Sequence, residues 1–262
     1  MRRCRLWLKA ALIAGMFLLG VMAVGLIMPG FRLGLGRRSA VIDEAIVLHW
    51  NRAVCRILNL RLHITGRPDP DARLWVANHI SWLDIIALGS LLPCQFLAKG
   101  DVAEWPVIGY LAKGIGTLFV KRGDAGQTTS TAEQMVWRLR QGKRLLLFPE
   151  GTTTNGEKLL RFHGKLFQPA QRAGVGVQAV ALRYAGEANR LAPFIGDDAF
   201  LPHLLTLLGA DPLELRVNFC PLLPAGLDRQ EMAQAAHRQI AAIIGPQQSE
   251  GSSHSDRRVM QS

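Results

Sequence analysis

Leu74-Trp75-Val76-Ala77-Asn78-His79-Ile80-Ser81-Trp82-Leu83-Asp84 opens on a short apolar run and breaks abruptly into polar residues before a helical stretch resumes. The same grammar recurs along the chain. Apolar runs predict strands over Leu60–Ile64, Leu74–Ala77, Gln95–Ala98, Leu118–Lys121, Leu145–Phe148, Val177–Leu182 and Leu215–Phe219. Helical periods lie between them. In Thr131–Arg140 the residues Ala132, Met135, Val136 and Leu139 share one face, and Ser130 with Glu133 reads as a capping box. Glu231–Ile244 is capped by Asp228 with Glu231 and stopped by Gly245-Pro246. Alternating strands and helices predict an α/β domain: one mixed, largely parallel sheet of about seven strands, flanked by helices.

Four polar clusters follow strand ends: Asn78 to Asp84, Lys99, Lys121-Arg122 and Glu150-Gly151-Thr152. In open α/β sheets the loops beyond the strand C-termini form the binding crevice, so parallel strands would bring all four to one mouth. His79 and Asp84 are the reactive pair. A histidine acts as a general base near neutral pH when a carboxylate holds one ring nitrogen and the other faces the substrate. Their spacing suits a loop histidine and an aspartate in the first helical turn; equally, Asp84 or Ser81 could simply cap that helix. Phe148-Pro149-Glu150-Gly151-Thr152-Thr153-Thr154-Asn155-Gly156 is a strand exit into a turn-rich loop whose hydroxyls and amides suit anionic oxygens. It lacks the Gly-Lys-Ser/Thr ending of a phosphate-binding P-loop. No His/Cys spacing suits a metal, so no metal cofactor is expected.

Residues Leu6 to Met28 carry one charge, Lys9, with Arg2, Arg3 and Arg5 before them and Arg32, Arg37 and Arg38 after. As a helix this run is about 35 Å long, enough to span a bilayer or to dip into one leaflet and return. Basic residues on both flanks give no orientation by the positive-inside rule. Val41 to Leu60 is amphipathic and fits either a core helix or an interfacial helix forming a hairpin with the first. The expected organisation is therefore an anchoring segment 1–40, an α/β domain 41–246 and a polar disordered tail 247–262. Among 262 residues, 49% are hydrophobic and 19% charged, which excludes a disordered chain; a single long apolar stretch excludes a polytopic one. A net charge of +11 calls for an anionic partner, whether nucleic acid, lipid surface or phosphorylated substrate. The scattered Cys4, Cys55, Cys94 and Cys220 read as incidental thiols in a reducing compartment.

Taken together, these residues resemble the 1-acylglycerol-3-phosphate acyltransferase family of glycerophospholipid acyltransferases. Asn78-His79-x-Ser81-x-x-Asp84 looks like its His-x4-Asp motif, and Lys99, Pro106, Gly109, Gly116, Phe119 and Arg122 match the second motif in type and spacing. Phe148 to Thr152 matches the third, and Gly176 to Ala181 the fourth, with Ala179 where a proline is common. The third motif of the best-known bacterial members continues with Arg; here the position is Thr153, and the Thr153-Thr154-Asn155-Gly156 extension resembles a subgroup acting on lysophospholipids and lyso-ornithine lipid.

The resemblance implies a membrane-bound enzyme moving an acyl group from acyl-ACP or acyl-CoA to a lyso-lipid hydroxyl, with His79 and Asp84 catalytic and no cofactor. Lys99, Lys121 and Arg122 would hold the headgroup anion, and Glu150, Gly151 and Thr152 would contribute to substrate binding. Backbone amides near Gly151 or at the strand ends would be candidate oxyanion donors. The expected acceptor is 1-acyl-sn-glycerol-3-phosphate, giving phosphatidic acid, with lyso-ornithine lipid as the alternative. The partners are then lipid and acyl carrier rather than nucleic acid, at the cytoplasmic face of a bacterial inner membrane. A non-catalytic, membrane-tethered basic binding protein also explains +11, but not the order of His79, Asp84 and Glu150 after their strands.

Overall fold

The computed structural model describes residues 2–36, 39–120 and 125–245. Its strands are β1 (Leu60–Thr65), β2 (Ala72–Ala77), β3 (Gln95–Lys99), β4 (Leu118–Val120), β5 (Leu145–Leu147), β6 (Gly176–Ala185) and β7 (Leu213–Leu223). They form one sheet in the order β1-β7-β6-β2-β5-β3-β4. All pairs are parallel except β6 with β7, so β1 and β7 run against the other five. The mixed, largely parallel sheet expected from the sequence is therefore present.

The helices are α1 (Arg2–Met22), α2 (Met28–Leu35), α3 (Ser39–Leu58), α4 (Leu83–Gly89), α5 (Ile108–Gly114), α6 (Ala125–Arg140), α7 (Gln168–Ala173), α8 (Ala188–Leu191), α9 (Phe200–Gly209) and α10 (Arg229–Ile244). Two cores sandwich the sheet. On one face, Trp75 and Ala77 of β2 pack with Val54 and Leu58 of α3, Leu83 and Leu88 of α4 and Leu207 of α9. On the other, Leu74 and Val76 pack with Met135 and Leu139 of α6, Ala170 of α7 and Met232, Ala236 and Ile240 of α10. Successive residues of β2 thus feed opposite cores, as period-two side chains must, and a strand buried on both sides reads as an unbroken apolar run.

Asp228 caps α10 as expected, accepting from the N–H groups of Gln230 and Glu231 while Glu231 reaches back to the Asp228 N–H. The other proposed cap is corrected. Because α6 begins at Ala125, Ser130 lies inside the helix and cannot cap it. The Thr/Ser residues before Thr131 are carried into the helix by the Met135 and Leu139 side chains, which anchor the later turns in the core. The fourth predicted strand ends at Val120, and Lys121 falls outside the described residues.

The apolar N-terminal run stays helical past Met28, through a π-helical turn (Ala23–Ile27) and on to Leu35. Pro29 has no N–H to give to the preceding turn, and it follows directly on the π-helical stretch, where the regular i→i−4 ladder is already interrupted: the Met28 N–H bonds the Ala23 carbonyl. The run Cys4–Leu35 is long and apolar enough to cross a membrane. It lies antiparallel to α3: the Trp50 indole donates to the Met16 carbonyl at 2.8 Å, and Arg32 pairs with Asp43 at 2.9 Å. Lys9, the one charge inside Leu6–Met28, points back to the domain and donates to the Leu208 carbonyl. Ile13 and Met28 are buried on the same side. The opposite side leaves Leu8, Leu12, Leu19, Leu26 and Leu33 exposed at near-helical spacing, together with Trp7 and Leu18; Leu33 is 90% exposed. In α3 the second half packs into the core through Val54, Cys55 and Leu58, and the first half lies against the N-terminal run, with Val41 exposed.

Candidate active site

The polar break after β2 folds as the spacing required, with His79 in the loop and Asp84 in the first turn of α4. Asp84 caps nothing; the helix start at Trp82 has no side-chain cap. Its carboxylate turns back instead. Oδ2 accepts from His79 Nδ1 at 2.9 Å, from the Ile80 N–H at 2.7 Å and from the Ser81 N–H at 2.9 Å. Oδ1 accepts from the Tyr184 hydroxyl at 2.8 Å. Asp84 is completely buried, so these four donors replace the water it has lost. Ser81 contributes only its backbone; its buried hydroxyl has no protein partner among the described residues.

With Nδ1–H donating to Asp84, the imidazole lone pair is left on Nε2. Nε2 has no hydrogen-bond partner among the described residues, and the side chain is 17% exposed, enough for a substrate hydroxyl to reach it. The ring stacks on Phe148 with centroids 3.8 Å apart and planes within 10°. Asn78 fixes the strand end beneath it, exchanging two hydrogen bonds with the backbone of Leu182 on β6.

Glu150 reaches the same loop from β5. Oε1 accepts the His79 N–H at 2.9 Å and Oε2 the Leu160 N–H at 2.9 Å. Burial pushes this carboxyl above its ordinary range, and the two N–H bonds and His79 pull it partly back. Both oxygens are engaged by backbone donors, so Glu150 ties the His79 loop to the backbone at Leu160. Gly151 adopts φ +71°, a left-handed conformation that favours glycine, and its N–H closes a turn onto the Phe148 carbonyl. The Gly151 amide is thus engaged within the loop itself. Thr152 is half-buried beside it. Gly156, at φ +81°, packs so closely on Ile80 that a Cβ there would sit 3.0 Å from Cδ1.

Thr153 is a finding that sequence comparison could only pose as a gap. Its hydroxyl donates to the Phe194 carbonyl at 2.5 Å, while the Phe194 N–H donates to the Ile80 carbonyl. The Thr154 N–H donates to the His79 carbonyl. The loop is thereby stitched to the dyad and to the segment after α8. Lys99 stands exposed at the C-terminal end of β3, on the same end of the sheet as the dyad. Lys121 and Arg122 lie outside the described residues. Burial raises the Cys55 and Cys220 thiols to about 11, which keeps both protonated near neutral pH.

A histidine oriented by a buried carboxylate, at the C-terminal mouth of an α/β sheet, is suited to taking a proton from a hydroxyl. Comparison with known proteins agrees: residues 62–183 match the acyltransferase family model, and the chain belongs to that family. It is 39% identical to the lyso-ornithine lipid O-acyltransferase of Pseudomonas aeruginosa, over 93% of this chain and 95% of that one. It is 33% identical to the 1-acyl-sn-glycerol-3-phosphate acyltransferase of Neisseria meningitidis, over 76% and 80%. The crystal structure of the 1-acyl-sn-glycerophosphate acyltransferase of Thermotoga maritima shares the fold, with a TM-score of 0.64 at 17% identity, covering 94% and 99% of the two chains. The chain is an acyltransferase.

Proposed function

We propose that this acyltransferase moves a fatty acyl group from acyl-ACP or acyl-CoA to the free hydroxyl of a membrane lyso-lipid, with His79 as general base. The reading rests on the 2.9 Å bond between His79 Nδ1 and the buried Asp84. Nε2 takes the hydroxyl proton as the acceptor oxygen bonds to the thioester carbonyl carbon. The tetrahedral adduct then collapses, the carbon–sulfur bond breaks, and the leaving thiolate takes the proton from the imidazolium. Asp84 balances the charge of that imidazolium, so no acyl-enzyme is needed. A relay of this kind contributes about 10²–10⁴-fold.

Two acceptors compete. The near-full-length likeness to a lyso-ornithine lipid O-acyltransferase favours that lipid, as does Thr153, which binds the Phe194 carbonyl and offers no guanidinium to a phosphate monoester. The second-motif residues Lys99 and Arg122, and the likeness to a 1-acyl-sn-glycerol-3-phosphate acyltransferase, favour lysophosphatidic acid and hence phosphatidic acid. Purified full-length chain supplied with acyl-ACP or acyl-CoA and each acceptor in mixed micelles tests the reading. Transfer to lyso-ornithine lipid at the higher kcat/KM is expected. A strong preference for the monoester would reverse the order of the two acceptors, and consumption of neither would overturn the function.

The N-terminal hairpin supports a monotopic seat. One side is fixed to the domain and the other presents the leucine stripe, which suits a helix lying in one leaflet better than one crossing both. The donors are cytoplasmic molecules, which sets the catalytic domain on the cytoplasmic face of the bacterial inner membrane.

A further inference from the structure

Tyr184 sits in β6 among apolar neighbours and is 2% exposed. A phenylalanine would fill that place without a buried hydroxyl, which costs free energy unless it is bonded. The hydroxyl has one hydrogen-bond partner among the described residues, Oδ1 of Asp84, at 2.8 Å. The other carboxylate oxygen carries all three remaining donors, among them His79 Nδ1. A buried carboxylate held through Oδ2 alone can rotate about its Cβ–Cγ bond and carry that oxygen out of line with the imidazole. A donor on Oδ1 stops the rotation. The strand bearing it is fixed too, because Asn78 is bonded to the Leu182 backbone two residues earlier.

We propose that Tyr184 is a positioning residue of the catalytic dyad: its hydroxyl fixes the rotation of Asp84, so that Oδ2 faces the His79 Nδ1–H throughout the reaction. The inference rests on the general-base reading of His79. Tyr184 touches neither donor nor acceptor and acts through Asp84 alone. Burial, with the neighbouring Asp84 charge, holds the phenol proton well above its ordinary range, so Tyr184 remains a donor at any working pH. The titratable groups around this pair are His79 in the loop after β2, Glu150 after β5 and Cys55 on α3; Cys55 is itself raised to about 11 and uncharged.

The test is Tyr184→Phe in the full chain, with kcat, KM, the pH profile and the His79 Nδ1–H NMR signal measured together. The expected result is a kcat lower by roughly 10- to 100-fold, the range for a hydrogen bond to a buried charge. KM should be unchanged. The acid limb of the profile should move to higher pH, because a carboxylate with one donor fewer holds the imidazolium proton more tightly. In an Asp84→Asn background the same change should cost nothing further. Should the phenylalanine variant fail to fold, fluorotyrosine supplies the second measurement. The chain has only two tyrosines, so Tyr110→Phe leaves Tyr184 as the sole labelled site. The more acidic phenol is a stronger donor and should move the acid limb the opposite way. Unchanged kcat and profile in the phenylalanine variant, or an unmoved limb in the fluorinated protein, would overturn the proposal. Activity retained by His79→Ala would instead refute the general-base reading beneath it.

Discussion

Glu150 holds His79 by its backbone: Oε1 accepts the His79 N–H at 2.9 Å while Oε2 accepts the Leu160 N–H at 2.9 Å. One carboxylate therefore ties the loop after β2 to the loop after β5. Glu150→Gln is the informative variant, because an amide has one oxygen and must turn its NH2 toward one of those two N–H groups. We expect a loss of about 1–3 kcal/mol in stability, the cost of a buried donor left unpaired. A fall in kcat from a less rigid His79 should accompany it. Denaturant unfolding and steady-state kinetics on the same preparation check both.

Asp84→Asn keeps the shape but not the charge. Its amide can present NH2 to Nδ1, which selects the tautomer with the proton on Nε2 and removes the base. It also confronts the Ile80 and Ser81 N–H groups with one acceptor fewer or none. We expect a loss of kcat of at least about 10³-fold, by analogy with the wrong-tautomer effect in hydrolytic triads. KM for either substrate should change little.

Thr153→Arg tests whether the loop is built for its own anchor. Arginine cannot reproduce the short hydroxyl bond to the Phe194 carbonyl, so the change should loosen the loop and lower the melting temperature. Any gain in monoester preference should therefore come with lower total activity. A variant that gains preference for lysophosphatidic acid with unchanged stability would show that the anchor is dispensable.

The leucine stripe predicts how the protein is held. Leu8 and Leu19 are exposed on the side of α1 away from the domain, at 62% and 57%. Changing both to Asp should leave the fold intact. Each charge costs on the order of 1–3 kcal/mol in lipid. Vesicle flotation should find the double variant largely in the soluble fraction, with its activity on short-chain soluble acceptors preserved.

Much of this architecture is legible in the sequence because burial on two faces writes strands as unbroken apolar runs, as Leu74–Ala77 shows. The dyad is legible because His79 and Asp84 are local, five residues apart across one loop-to-helix junction. Its supports are not. Tyr184 lies 100 residues beyond Asp84, Leu160 reaches His79 only through Glu150, and Phe194 meets Thr153 across 41 residues. No spacing rule records contacts made by sheet order. One clue was present: a tyrosine closing a largely apolar stretch needs a partner for its hydroxyl. The helix ends fared worst. Ser130 reads as a helix cap, yet α6 begins at Ala125 and the packing of its later turns carries the helix through that residue.

The central claim is that His79 takes the proton from the acceptor hydroxyl. The most direct measurement is the single-turnover rate of acyl transfer by purified His79→Ala, with circular dichroism and vesicle binding recorded on the same sample. The ring contributes one stacking contact and one hydrogen bond at the mouth of the sheet, so the variant should fold and bind membranes like the wild type. Its rate should fall by at least about 10²-fold, the lower end of general-base catalysis. A folded, membrane-bound variant that keeps more than about a tenth of the wild-type rate would contradict the account, because a positioned general base supplies far more than that factor.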